Sequence, residues 1–267
     1  MNIVYMGTSV FAVPSLQSLM ASRHQVVGVV SQPDRPRGRG KRISPTPVKE
    51  IAGQHGIPVY QPAKIKSLEA IEQIKLWQPD LIVVVAYGQI IPKEILEYPT
   101  LGCINVHASL LPRYRGAAPI QRALMEGEKT SGITTMFMDE GLDTGDIILQ
   151  LTVPIEDEYD HGKLEAILAE KGALLLQETM DQLEKSTAPR IPQQEELASY
   201  ADRITREDEK IDWSQPAESI HNQIRALSPS PGAWTAIDSN KTKIYKSRVI
   251  SNDESGVISQ IVEVGND

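Results

Sequence analysis

Cysteine is almost absent from this sequence: the 267 residues include one, Cys103. A single thiol excludes an intramolecular disulfide, and the five histidines are too scattered to give the ligand spacing of a zinc site. These two absences predict a protein without bound metal from a reducing compartment. We therefore expect it in the cytoplasm.

Long apolar segments are also missing. No run approaches the ~18 apolar residues that a membrane-spanning helix requires. The amino-terminal stretch MNIVYMGTSVF has neither the basic start nor the long apolar core of a secretion signal. The sequence therefore predicts no membrane partner and no targeting segment.

Glycine is missing where a dinucleotide-binding loop would need it. That loop follows the pattern G-x-G-x-x-G, so that the backbone can approach a pyrophosphate. Here Gly7 follows the first apolar run, but Ser9 and Ala12 stand at the second and third glycine positions. The pattern does not favour a dinucleotide-binding protein.

Positive charge is scarce overall but concentrated in one segment. The formal net charge is −8, whereas residues 33–49 contain six basic side chains and one acidic one, a local charge of +5. One basic loop on an acidic surface would let a polyanion dock in a single place. A solvated loop without function accounts for the charge equally well.

The amino-terminal part alternates short apolar runs with stretches of helical spacing, as a parallel α/β sheet does. Continuous apolar runs are typical of strands covered on both faces. The pattern predicts a doubly wound, mostly parallel sheet. Its expected strands are Ile3 to Met6, Val26 to Val30, Leu81 to Ala86, Thr134 to Met138 and Ile147 to Leu151, and its expected helices are Pro14 to Ala21, Val48 to His55, Leu68 to Gln78 and Leu164 to Leu183.

The periodicity stops after the long helix. We expect a domain over residues 1–187, a polar, proline-containing linker over 188–205, and a second domain over 206–267. The second domain is expected to contain one helix and three strands, namely Pro216 to Ala226, Trp234 to Ile237, Lys243 to Lys246 and Val257 to Val264.

The run NVHASLLP, with GLDTGD after it, holds the residues most suited to chemistry. Asn105 and His107 follow the apolar stretch Leu101 to Ile104 and are two residues apart, so on a strand they share a face. An amide donor stabilises an oxyanion, and an imidazole moves a proton near neutral pH. Asp143 is the expected orienter of His107. Taken singly, these residues are more often turn, cap or hydrogen-bonding residues.

A longer pattern surrounds this set, and with QPDRPRGRGK at 32–41 and VVVAYGQIIP at 83–92 it resembles the folate-dependent formyltransferase family. The resemblance implies formyl transfer from 10-formyltetrahydrofolate to the α-amine of methionine carried on initiator tRNA. It also implies that Asn105, His107 and Asp143 are the catalytic set. The family's second domain is a small barrel resembling an OB-fold. Three strands cannot close such a barrel, so we expect an incomplete one here.

The resemblance places the folate donor between the segment around Gln89 to Pro92 and the loop Asp139 to Asp143. The expected folate-binding residues are Gln89, Ile90, Ile91, Ser109, Leu110, Leu111 and Pro112. Ordinary core packing remains an alternative for Leu110 and Leu111. In the basic loop, Arg39, Lys41 and Arg42 are expected to contact the acceptor end of the tRNA.

Other acceptors remain open within the same chemical class. Formyltransferases acting on nucleotide sugars or on glycinamide ribonucleotide share the same Asn, His and Asp core. Outside that class, the chain could be a tRNA-binding module with inactive folate machinery, although the intact set of three residues counts against it. We expect the protein to be a monomer.

Overall fold

The computed structural model of the protein describes residues 1–37 and 42–250. Its strands are short, as buried strands usually are. In chain order they are β1 (Asn2–Gly7), β2 (Gln25–Val30), β3 (Arg35–Arg37), β4 (Arg42–Ser44), β5 (Val59–Tyr60), β6 (Leu81–Val85), β7 (Cys103–His107), β8 (Arg115–Gly116), β9 (Thr130–Phe137), β10 (Ile147–Pro154), β11 (Tyr200–Ala201), β12 (Ala233–Ile237) and β13 (Asn240–Ile244).

Seven of these strands form the central sheet, in the order β10-β9-β7-β6-β1-β2-β5. The five strands from β7 to β5 are parallel. At the other edge β9 runs antiparallel to β7, and β10 antiparallel to β9. The predicted mostly parallel sheet is confirmed.

The helices cover both faces of the sheet. They are α1 (Val13–Met20), α2 (Pro47–Gln54), α3 (Leu68–Leu76), α4 (Lys93–Leu96), α5 (Pro119–Met125), α6 (His161–Glu184) and α7 (Ala217–Ala226). Alternation along the strands divides the core: Ile3 and Tyr5 of β1 pack with α1, α2 and α6, whereas Val4 and Met6 pack with α3 and α4. Burying one such side chain contributes about 1.5–3 kcal/mol. Strands β1 and β6 are therefore packed on both faces, and this packing holds the positions of their ends.

Several helices begin where the sequence supplies a cap. The Thr46 hydroxyl accepts from the Lys49 amide before α2, and Ser67 accepts from Ala70 before α3. Asp160 accepts from Lys163 before α6. Each such cap is worth about 1 kcal/mol. The helices predicted from periodicity begin and end within a few residues of the observed bounds.

The structure differs from the sequence-based expectation in a few short elements. The strand at the apolar stretch Leu101 to Ile104 lies further along the chain than expected. Strand β7 begins at Cys103 and continues through His107. The basic loop over residues 33–49 contains an antiparallel pair, β3 and β4, which its arginines and prolines gave no reason to expect. The short helices α4 and α5 were also not expected, since neither is long enough to show a helical period.

The carboxyl-terminal part contains α7 and the antiparallel hairpin of β12 and β13. Ile211, Ile224, Leu227 and Ala233 form its small apolar core. Helix α7 packs against α5, and Met125 of α5 contacts both this cluster and the main core. The expected strand Val257 to Val264 lies outside the described residues.

Residues 188–205, called the connecting segment below, lie along the first domain. Strand β11 pairs in parallel with β8, and the Ile191 backbone pairs with that of Ile147. The segment has little regular structure, as its composition indicated, yet it is hydrogen-bonded along its length. Within the described ranges, no helix has both the length and the hydropathy to cross a membrane.

Candidate active site

Asn105 and His107 lie at the carboxyl end of β7, between β6 and β9. Because they are two residues apart in a strand, their side chains leave the same face of the sheet. Asn105 is half-buried, and His107 is buried. In an open parallel sheet this edge is where ligands bind.

Asp143 comes to the same edge from the loop between β9 and β10, residues 139–146. Its Oδ1 accepts a hydrogen bond from Asn105 Nδ2 at 3.2 Å. Its Oδ2 accepts from the Gly116 amide at 2.9 Å and lies 3.7 Å from His107 Nδ1. The structure therefore brings the three predicted catalytic residues together around one carboxylate.

The Asp143 backbone is in the left-handed region, with φ of +55°. This conformation costs an L-residue roughly 1–2 kcal/mol, so neighbouring contacts have to hold it. Within the loop, Asp139 Oδ1 accepts from the Gly141 amide at 3.0 Å and from Thr144 Oγ1 at 2.7 Å. These bonds stabilise the turn that presents Asp143 to β7.

A backbone carbonyl sets the orientation of His107. His107 Nε2 lies 2.9 Å from the Tyr114 carbonyl oxygen. A carbonyl oxygen only accepts, so Nε2 carries the hydrogen and Nδ1 carries the lone pair in the neutral ring. Sequence reasoning assigned this orienting role to Asp143. In the structure, the Tyr114 carbonyl accepts the hydrogen bond that fixes the tautomer, and Asp143 faces Nδ1, the other ring nitrogen.

Tyr114 is itself held in an uncommon conformation. Its φ is +61°, and its ring is buried. The phenol oxygen lies 2.9 Å from Glu128 Oε1 and also bonds to Glu126. Burial, followed by these two carboxylates, raises the pKa of the Tyr114 phenol, so it remains a donor. The tyrosine is thus anchored at its far end while its carbonyl faces His107.

The segments expected to bind folate lie beside this set. Ile90 is 85% exposed after β6, and Leu142 of the 139–146 loop is 56% exposed. Lys93 Nζ of α4 pairs with Glu140 Oε1 at 2.9 Å, which joins the two segments. Gln89 instead bonds to the segment 62–65: its Oε1 accepts from the Ile65 amide at 2.8 Å and its Nε2 donates to the Pro62 carbonyl at 3.3 Å. Ile91 is buried.

The second predicted folate segment, residues 109–112, is partly structural. Ser109 is buried, and its hydroxyl donates to the Arg113 carbonyl at 2.6 Å. Leu111 packs with Met136 and Ile147 in a buried cluster, as the core-packing alternative proposed. Leu110 and Pro112 are partly buried.

The expected tRNA-binding residues are described only in part. Arg39 and Lys41 lie outside the described residues, and Arg42 is placed by its backbone, which pairs with that of Arg37 across the hairpin of β3 and β4. The described part of the chain contains no cluster of histidine, cysteine or acidic side chains that could hold a metal ion.

Two structural partners of the set, Tyr114 and the Gly116 amide, were missed by sequence reasoning. Both lie in the stretch 105–121 whose pattern drew attention, but neither side-chain type nor spacing reveals a carbonyl or an amide aimed at a neighbour. A third, Gln193, donates to the Asp143 carbonyl oxygen from the connecting segment, where composition alone indicated a linker.

Family models match both parts of the chain. The model described as formyl transferase matches residues 1–180, and the one described as formyl transferase, C-terminal domain, matches residues 203–267. A curated protein of Syntrophomonas wolfei named methionyl-tRNA formyltransferase is 60% identical over 99% of this chain and 84% of its own length. Another of that name, from Moorella thermoacetica, is 52% identical over 100% of this chain and 86% of its own length.

Solved structures share the fold at lower identity. A Helicobacter canadensis N-formyltransferase, in complex with folinic acid and dTDP-3-aminofucose, superposes with a TM-score of 0.68 and 22% identity. The match covers 91% of this chain and 86% of that one. At this identity the likeness supports the architecture alone.

Proposed function

This chain belongs to the formyl transferase family, and we propose that it transfers a formyl group from 10-formyltetrahydrofolate to the α-amine of methionine on initiator tRNA. The observation that carries this proposal is the placement of Asp143 between Asn105 and His107 at the carboxyl edge of β7. The acceptor follows from relatives that are 60% and 52% identical along almost the whole chain.

The geometry suits direct transfer between two substrates. An esterified α-amine is neutral for a useful fraction near pH 7, since even a free α-amino group has a pKa of about 7.7–8.0. Its nitrogen attacks the formyl carbon, the bond from that carbon to N10 breaks, and the proton lost by the amine balances the one gained by N10. No external oxidant, reductant or metal is needed for this exchange.

Asn105 supplies the donor for the developing oxyanion. One of its two N–H groups is engaged by Asp143 at 3.2 Å, which fixes the plane of the amide. The direction of the second N–H is then also fixed, and this N–H donates to the formyl oxygen as that oxygen becomes anionic. Donors held in place before the reaction stabilise this charge without reorganisation.

His107 and Asp143 move the proton. Because Nε2 donates to the Tyr114 carbonyl, Nδ1 is the ring nitrogen that takes up and releases a proton. Asp143 Oδ2 lies 3.7 Å from Nδ1 and faces it across the site. His107 thus stabilises the oxyanion as a cation or passes its proton to the departing N10.

The donor's pteridine fits between the two joined segments. The exposed side chains of Ile90 and Leu142 offer it apolar walls, and the Lys93 to Glu140 ion pair holds those walls together. Backbone groups of residues 109–112 complete the pocket. A monomer remains our expectation for the oligomeric state, and action on charged initiator tRNA supports a cytoplasmic location.

The acceptor is tested by comparing three substrates. With a 10-formyltetrahydrofolate donor, the protein should formylate methionyl initiator tRNA and neither glycinamide ribonucleotide nor an amino-sugar nucleotide. Release of tetrahydrofolate reports transfer to each acceptor. Comparable kcat/KM for either small molecule would overturn the tRNA assignment, and transfer to none of the three would favour the tRNA-binding module.

The basic loop should show its role in the salt dependence of tRNA binding. Each phosphate contact contributes about 0.7–0.9 to the slope of log affinity against log salt. Arg39→Ala should therefore reduce the magnitude of the slope by roughly 1 and raise KM for tRNA, with folate affinity unchanged. Binding curves at several salt concentrations measure this. Superimposable curves for wild type and variant would leave the loop as a solvated segment without function.

A further inference from the structure

A side chain of the connecting segment reaches into the 139–146 loop. Gln193 Nε2 donates to the carbonyl oxygens of Asp143 and Gly145, at 2.8 Å each. Gln193 Oε1 accepts from Arg115 Nε at 3.0 Å. The carbonyls only accept and the guanidinium only donates, so these partners fix which end of the amide is which. Both amide hydrogens and the amide oxygen are therefore engaged.

Arg115 ties this amide to the other side of the site. It is 1% exposed, and its Nη1 pairs with Glu195 Oε2 at 2.8 Å. Its own amide donates to the Ser199 carbonyl at 2.8 Å. The next residue, Gly116, donates its amide to the Asp143 carboxylate. Two hydrogen bonds thus hold Asp143: Gln193 donates to its backbone carbonyl, and the Gly116 amide donates to its carboxylate.

The backbone hold matters because Asp143 is in the left-handed region. Two donors on the carbonyls of Asp143 and Gly145 stabilise this conformation from outside the loop. If they are removed, the peptide planes around Asp143 are free to rotate. The carboxylate would turn with them, away from Asn105 Nδ2 and His107 Nδ1.

We propose that Gln193 is a positioning residue for formyl transfer, acting through the Asp143 backbone on the carboxylate that faces Asn105 and His107. The proposal deepens the proposed function and rests on it, since the same site is involved. It makes the connecting segment part of the active site and not a spacer between two domains.

Gln193→Glu is the discriminating variant. It keeps the size of the side chain and its interaction with Arg115, but it replaces the two N–H donors by an acceptor facing two carbonyl oxygens. Displacing a catalytic group by about 1 Å costs up to roughly 10²-fold in rate. We expect kcat for methionyl-tRNA formylation to fall by about 10- to 100-fold, with KM for both substrates within about twofold of wild type.

Gln193→Leu should lower kcat to a similar degree, whereas Gln194→Leu is the matched control. Gln194 is the exposed neighbour of Gln193, so its replacement should leave kcat unchanged. Since Gln193 acts through Asp143, adding Gln193→Glu to Asp143→Ala should lower kcat by no more than about a further twofold. An undiminished effect in that background would overturn the proposal.

Hydrogen exchange provides a readout that needs no substrate and that separates failure of this inference from failure of the proposed function. Amides of the 139–146 loop should exchange faster in Gln193→Glu than in wild type or Gln194→Leu, while those of β1 and β6 remain protected. Unchanged exchange in this loop would overturn the positioning role whatever the acceptor proves to be. Faster exchange throughout the chain would show general destabilisation and also count against it.

Discussion

Asn105→Ala should lower kcat for formyl transfer by about 10²–10³-fold, as removal of an oxyanion donor does. The variant loses the N–H that we propose donates to the formyl oxygen, and the hydrogen bond that Asp143 accepts at 3.2 Å. His107→Ala and Asp143→Ala should lower kcat at least as much, because each removes part of the proton path. Single-turnover formylation of methionyl-tRNA measures the chemical step in each variant.

Two controls separate chemistry from folding in these variants. Folate binding and the thermal unfolding midpoint should remain close to those of wild type, since the three side chains lie at the carboxyl end of β7 and outside the apolar clusters of the core. The residues act as one unit, so His107→Ala combined with Asp143→Ala should lower kcat far less than the product of the single effects. Near-normal kcat in any single variant would remove that residue from the catalytic set.

Gly145→Ala should lower kcat by about 10²-fold or more. A Cβ at this position would collide with the Phe137 carbonyl oxygen, which belongs to the backbone of β9. The strand cannot yield without breaking its pairing, so the 139–146 loop has to move, and Asp143 with it. The same movement withdraws the Gly145 carbonyl from Gln193. Steady-state kinetics and folate binding together measure the effect.

Gly53→Ala is the matched control for that substitution. Gly53 lies in α2, and a Cβ there meets no atom within 4 Å. Alanine in a helix interior is favoured over glycine by roughly 0.5–1 kcal/mol, so this variant should be as stable as wild type or more stable, with unchanged kcat. If Gly145→Ala also retained wild-type kcat, Asp143 would not need the observed loop conformation.

Much of the fold followed from local patterns because the decisive elements are long or strongly apolar. The runs around Ile3, Val29 and Val83 are covered on both faces, and continuous hydrophobicity records this. Helix α6 has a clear period and a capping aspartate, Asp160. Short elements such as β8 and β11 show no such pattern in the sequence, since they form only where two distant segments pair.

The site divides in the same way. Asn105 and His107 were predictable as a pair because a strand period of two places them on one face. Their relation to Asp143 was expected, but the atoms involved were not. The group that orients His107 is the backbone carbonyl of Tyr114, a residue at positive φ. The amino-acid type at that position predicts neither the direction of the carbonyl nor the backbone strain. Gln193 acts across fifty positions of sequence, a separation that no local pattern spans.

The pairing of β8 with β11 also sets where the protein could be divided or recombined with others. Beyond the side-chain contacts, Ala201 accepts from the amides of Ala117 and Ala118, and Ser199 donates its amide to the Pro112 carbonyl. A fragment ending at residue 187, where composition places the domain boundary, would strip these partners from the loop that holds Tyr114 and Gly116. We therefore expect that a fragment retaining this loop has to extend at least through Ala201, and that an exchange of the carboxyl-terminal module has to be joined beyond that residue.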